Sequence, residues 1–168
     1  MGIPKALLKS PVFWTRIFPL WPPYLGAGIK MTRMTPDWRN VDIEMPMYFW
    51  NKNYVGTHYG GSMFSMTDPW YMIMIMNNLG KDYIVWDKAG SIRFKNPGRG
   101  TLRAQFRLTQ EQIDEVRNMA DRGERTEPTF SVQILDESGL LIAETEKTIS
   151  IRRKDLVKAK QTQENSTN

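Results

Sequence analysis

The chain has 168 residues, about one domain's worth, with 40% apolar, 11% aromatic and 24% charged residues, an ordinary globular composition. It contains no cysteine and one histidine, His58, which excludes disulfides, Cys-ligated zinc, iron–sulfur clusters, a thiol nucleophile and a multi-histidine metal site within one chain. The net charge of +5 is gathered at the front: residues 1–39 carry six bases against the single acid Asp37, and the remainder is balanced. The body therefore lacks the basic stripe of a nucleic-acid binder, and no nucleic-acid partner is expected.

No stretch is long enough to span a bilayer; residues 17–29 are broken by prolines and residues 69–80 are too few. No apolar core followed by a small-residue cleavage site stands near residue 1, so no signal peptide is expected. A soluble, cytoplasmic protein without membrane association is the default expectation.

Residues 4–18 read as a short, imperfect helix interrupted by Pro11, with Leu7, Leu8, Phe13, Trp14, Ile17 and Phe18 as apolar anchors. It either packs on the body or a partner subunit, which is the preferred reading, or lies in a membrane interface. Leu20–Leu25, with Pro22 and Pro23, reads as a stiff connector. Alternation is weak over 29–34 and clean over 41–49, where Val41, Ile43, Met45, Met47 and Phe49 share one face. With a turn at Pro36-Asp37 the two runs form a hairpin, and Pro46 suggests that its second strand lies near an edge or a bulge.

Residues 62–78 are apolar on nearly every side and predict one buried helix ending near Gly80. Five of the eleven methionines fall here, as core filler or as the lining of an adaptable acyl pocket. Strands are expected at 83–96 and 100–108, joined by a turn at Asn96-Pro97-Gly98-Arg99-Gly100. Thr109 to Gln112 is a capping box that opens a polar helix stopping near Gly123. Strands at 129–136 and 140–152 flank a turn at Glu137-Ser138-Gly139, and Arg153 to Asn168 is a polar tail. One long helix and about six antiparallel strands make an α+β fold in which the sheet curls around the helix. The expected division is 1–26 for the N-terminal helix and connector, 27–152 for the domain, and 153–168 for the tail.

The most informative run is Asn53 to Gly61, directly before the buried helix. Two glycines there let a backbone approach a ligand, and free N–H groups at a helix start form a ready oxyanion or carbonyl site. The same pair could be only a tight turn. Seven residues on, Asp68 is the only acid between Glu44 and Lys81. An aspartate in so apolar a segment must be paired, capping or functional, and with Pro69 behind it could simply start a second helix.

The element order, with Asn53 and the run Gly60-Gly61-Ser62-Met63-Phe64-Ser65-Met66-Thr67-Asp68, resembles the hotdog-fold acyl-CoA thioesterases. The resemblance is to the phenylacetate-pathway type and to a related group of uncharacterised hotdog proteins. It spans roughly residues 27–152, and its specific part runs from Asn53 to Asp68. It implies a metal-independent, cofactor-free hydrolase of acyl-CoA or acyl-carrier thioesters, coenzyme A being part of the substrate. It also implies a homodimer with shared sites at the subunit interface, doubled in some cases to a tetramer. Carried across, Asp68 is the general base or nucleophile, the Gly61 N–H polarises the thioester carbonyl, and Asn53 orients the water or carbonyl. His58, Tyr59 and Gly60 then lie beside the substrate.

Arg93, Lys95, Arg103 and Arg107 read as alternating positions of neighbouring strands, with Arg99 at the turn between them. Arg93, Lys95 and Arg99 suit the phosphates of coenzyme A, although such a row is more often a solvated sheet face. The aromatics Tyr48, Phe49, Trp50, Tyr54, Trp70 and Tyr71 read as core or interface. Two departures from the family pattern, Tyr59 just before the glycines and Pro69 just after the acid, favour an alternative: a non-catalytic acyl-CoA or lipid-binding hotdog protein.

Overall fold

A computed structural model describes residues 10–124, 126–157 and 159, and the remaining parts of the expected N-terminal helix and C-terminal tail lie outside them. Six strands form one antiparallel sheet: β1 (Lys30–Met34), β2 (Asn40–Met45), β3 (Tyr83–Phe94), β4 (Leu102–Arg107), β5 (Thr129–Leu135) and β6 (Leu141–Arg153). Their order across the sheet is β1-β2-β4-β5-β6-β3, which puts β1 and β3 on the two edges.

The alternation that marks these strands is the packing of one face. Val41, Ile43 and Met45 on β2 stand opposite Phe106, Ala104 and Leu102 on β4, and all six are buried. The opposite face is polar, with Arg103 bonded to Glu44 and Arg107 paired with Asp42 across the same ladder. Pro46 follows the end of β2, because a residue without an N–H can stop a ladder where it cannot continue one. The strand lies one in from the β1 edge and pairs with β1 through a bulge.

The apolar face wraps two helices, not one. The segment read as a single helix is α3 (Gly60–Thr67) and α4 (Trp70–Leu79), separated at Asp68-Pro69. Proline removes an N–H and its ring crowds the preceding turn, so the chain restarts there. Pro69, not Asp68, holds the cap position of α4, and neither helix start has a side-chain cap. Asp68 instead closes α3, its backbone N–H donating to Ser65 O while its side chain takes no part in the cap. Trp70 at the restart is fully buried, donates Nε1–H to Met66 O at 2.9 Å and lies 4.8 Å from the ring of Phe18. Tyr71 stacks on Phe130 at 4.7 Å and donates its hydroxyl to Ser131 O at 3.0 Å, tying α4 to the sheet.

Among the described residues the N-terminal segment contains two short α-helices with a 3-10 turn, Phe18–Leu20, between them. In α1 (Pro11–Ile17) the proline is the first helical residue behind a Ser10 cap, so it opens the helix instead of interrupting it. The expected connector is also helical, α2 (Pro22–Ala27), with prolines again in its first turn and Gly28 closing it at φ 72°. Trp14 and Phe18 pack on Trp38 and Trp70, which seats this segment on the body. Between β4 and β5 lies α5 (Gln110–Asp121), opened by the expected capping box: Gln112 N–H donates to Thr109 Oγ1 and Thr109 N–H to Gln112 Oε1.

The turn after β3 does not make a hairpin. Among the described residues β3 pairs only with β6, from Tyr83 opposite Arg153 to Phe94 opposite Ala143, and the chain then crosses to the middle of the sheet to form β4. The supposed row of bases is consequently two groups. Arg93 and Lys95 belong to the β3 edge, whereas Arg103 and Arg107 lie inside the sheet and are engaged by Glu44 and Asp42.

Candidate functional site

The loop before α3 is held by amide side chains. Asn51 is buried, accepts the Tyr48 N–H at 2.7 Å, and donates to Ala27 O and Pro46 O at 2.9 and 2.8 Å, which pins the loop to the end of α2. Asn53 does the same further along. Its Oδ1 accepts the N–H groups of Val55 and Thr57, and its Nδ2 donates to Thr57 Oγ1 and His58 O. Asn53 therefore shapes the loop, and its polar atoms are taken up there.

His58 is buried, and its ring Nε2–H donates to Gly100 O at 2.9 Å while its backbone N–H donates to Gly98 O. It thus locks the 98–100 turn against the loop. Burial holds its imidazole below the usual pKa, with the Gly100 carbonyl pulling the other way. The remaining ring nitrogen, Nδ1, is buried without a hydrogen-bond partner among the described residues. A neutral, structural imidazole results.

At the start of α3 the N–H groups of Ser62 and Met63 both turn back to Tyr59 O. Those of Gly60 and Gly61 donate to nothing among the described residues and sit at the positive end of the helix. At both positions a larger residue would have to push aside an exposed aromatic ring. A Cβ at Gly61 would come within 2.4 Å of the Tyr59 ring, and one at Gly60 within 2.9 Å of Phe94. Beside them opens a cleft of about 570 Å³ lined by Val55, Met63 and Phe94 on the apolar side, with Lys95 and Arg99 on the basic side. Arg93 is exposed on β3 and is not part of this lining.

Asp68 lies at the other end of α3, two helical turns or about 10 Å from Gly61. Within one chain the structure does not bring these two residues together. Asp68 meets a residue that the sequence reading did not single out. Lys147 Nζ donates to Asp68 Oδ1 at 2.7 Å and stands 3.4 Å from Asp87 Oδ1 on β3. The lysine side chain is only 4% exposed, against 49% for Asp68 and 25% for Asp87. Burial pushes the Asp87 carboxyl up, against the pull of Lys147 and with a further push from Asp68. Burial also raises the Tyr24 hydroxyl, as does the charge of Asp68, and Tyr24 donates to Ser65 O as a neutral phenol.

A pattern signal for Lys147 exists. On β6 it occupies the same alternating face as Thr145, Ile149 and Ile151, where a cation is out of place unless something inside answers it. Of the aromatics, Trp70 and Tyr71 are core, whereas Phe49, Trp50 and Tyr54 are exposed. Among the described residues no group of three His, Cys, Asp or Glu could hold a metal ion, and no helix is long and apolar enough to cross a membrane.

Residues 11–151 match the family described as a domain of unknown function, DUF4442. The chain belongs to the DUF4442 family. No curated protein matches it in sequence. In three dimensions this DUF4442 chain is similar to a Pseudomonas aeruginosa protein of unknown function described as a probable thioesterase. That pair has TM-score 0.74 and 23% identity, over 91% of this chain and 98% of the other. It is also similar to a thioesterase from Haemophilus influenzae, with TM-score 0.62 and 12% identity over 86% of this chain and 91% of the other. A third is PaaI of Escherichia coli, from the phenylacetic acid degradation operon, at TM-score 0.57 and 15% identity over 80% of this chain and 87% of the other. These likenesses, with the six-stranded sheet around α3 and α4, make this DUF4442 chain an α+β hotdog fold.

Proposed function

We propose that this protein hydrolyses an acyl thioester to the free acid and thiol, with Asp68 as general base or nucleophile and the N–H of Gly61 at the carbonyl oxygen. The observation that carries it is the unbonded Gly60 and Gly61 amides at a helix start beside a half-apolar cleft. Two fixed N–H groups with the helix dipole behind them suit the oxyanion of a tetrahedral intermediate. Water attacks the carbonyl carbon and gives its proton to the Asp68 carboxylate. The intermediate then expels the thiolate, which takes up that proton. Val55, Met63 and Phe94 offer apolar contact to the acyl or pantetheine chain, and Lys95 and Arg99 offer charge to coenzyme A phosphates. The group supplied by coenzyme A arrives with the substrate.

Gly61 and Asp68 are too far apart to act on one thioester in one chain, so the active unit is a homodimer with each site built from both subunits. β3 supports this arrangement. It is a free edge of twelve residues with Trp86 and Phe94 exposed, and a long open edge is a template for pairing.

A second reading is a non-catalytic acyl-CoA-binding protein, favoured by the Lys147 ammonium that already occupies one oxygen of Asp68. The two are separated by measuring free thiol released from a panel of acyl-CoA thioesters, with Asp68→Asn and Asp68→Ala alongside. Turnover that falls by about 10²-fold or more in a folded Asp68→Asn is expected. Absence of turnover on every chain length, with acyl-CoA still raising the melting temperature, refutes hydrolysis in favour of binding.

A further inference from the structure

Lys147 is held from three directions. Asp68 reaches it from the break between α3 and α4, Asp87 from β3, and the Phe64 ring of α3 lies 5.4 Å from its ammonium. Its stem crosses β3 at Gly90, its partner in register, where a Cβ would come within 3.1 Å of Lys147 Cδ and 2.9 Å of Phe64. Tyr24 is the other titratable group beside Asp68, and its hydroxyl is committed to Ser65 O.

One carboxylate is enough to answer a buried lysine, and here there are two, with the more exposed of them, Asp68, outermost. Only Oδ1 of Asp68 is bonded to Lys147; Oδ2 carries no hydrogen bond among the described residues. The ammonium grips the carboxylate from the core side and leaves the other oxygen open to solvent. On the hydrolase reading above, on which this rests, we propose that Lys147 is the positioning residue of the site: it fixes the orientation of Asp68 at the helix break, with Asp87 as the second anchor that holds its ammonium in place.

The test uses the full chain with Lys147→Met, Lys147→Arg and Asp87→Asn. It reads kcat and KM on acyl-CoA and, separately, the carbon-13 chemical shift of the Asp68 carboxyl at neutral pH. In Lys147→Met, kcat falls about tenfold or more, while KM changes less than about threefold. The Asp68 carboxyl resonance moves, because its hydrogen-bond donor is gone. Lys147→Arg recovers most of kcat and of the wild-type resonance. Should Lys147→Met not fold, Asp87→Asn decides, because it leaves the ammonium to Asp68 alone and moves the Asp68 resonance with the lysine still in place. The proposal is overturned if the Asp68 carboxyl resonance is alike in wild type and variants. It is equally overturned if kcat is lost with an unmoved resonance and Lys147→Arg restores nothing, the signature of a lysine that only supports the fold. A wild type that hydrolyses no thioester refutes the hydrolase reading, and the carboxyl resonance then still decides the role of Lys147.

Discussion

Gly90→Ala tests how tightly the Lys147 stem is seated. The backbone of Gly90 is not in the left-handed region, so alanine fits its φ and ψ without strain. Removing a glycine from a strand should by itself stabilise the fold by about 0.5–1 kcal/mol. Against this, the new methyl meets Phe64 at 2.9 Å, Lys147 Cδ at 3.1 Å and Lys147 Nζ at 3.4 Å. Overpacking of this kind costs about 1–3 kcal/mol, and the lysine cannot swing aside without leaving Asp68. The net effect is a loss of up to about 2.5 kcal/mol, or a melting temperature lower by up to about 10 °C for a chain of this length. The same substitution at Gly26 is the control. That glycine is exposed within α2 and has nothing within 4 Å of its missing Cβ. Gly26→Ala should stabilise by about 0.4–1 kcal/mol. Urea and thermal unfolding of both variants read the difference directly. A Gly90→Ala protein as stabilised as Gly26→Ala would refute the close seating of Lys147, and the Asp68 contact with it.

Stability should decline as the pH falls below about 6.5, the ordinary imidazole value. The unfolded chain takes up a proton that burial keeps from His58, so this contribution is present above that pH and is lost as the pH falls through the depressed native value. His58→Gln should flatten the slope of unfolding free energy between pH 7 and 5; an unchanged slope would place the imidazole in solvent. Thr109→Ala removes one half of the capping box and should cost about 1 kcal/mol, with faster amide exchange at Gln112. Unchanged exchange there would mean that the hydroxyl contributes nothing to the start of α5.

The inner strands were readable because burial on one face writes itself as alternation: Val41, Ile43 and Met45 on β2 and Leu102, Ala104 and Phe106 on β4 are both pattern and core. The capping box was readable because it is local chemistry within four residues. Prolines were harder, since the same residue opens α1 at Pro11, begins α2 at Pro22 and separates α3 from α4 at Pro69, and only the surrounding turn decides which. The partner of β3 was hidden for a different reason. A turn sequence such as Asn96 to Gly100 reports that the chain bends, not which strand it meets afterwards. The glycines and Asp68 stood out from their apolar neighbourhood, whereas Lys147 and Asp87 become members of a site only through β3–β6 pairing.

The route of the chain also sets an order of assembly. Among the described residues β3 has no neighbour but β6, and Asp68 meets Lys147 across 79 residues of sequence. During synthesis α3, Asp68 and Asp87 all emerge well before β6, the strand that joins them, and their edge of the sheet stays open until β6 has been made. Closing so distant a pairing is the slow step expected of this topology. The Asp68–Lys147 contact is thus a late event, and its appearance in a refolding experiment reports that the last strand has docked and the sheet is complete.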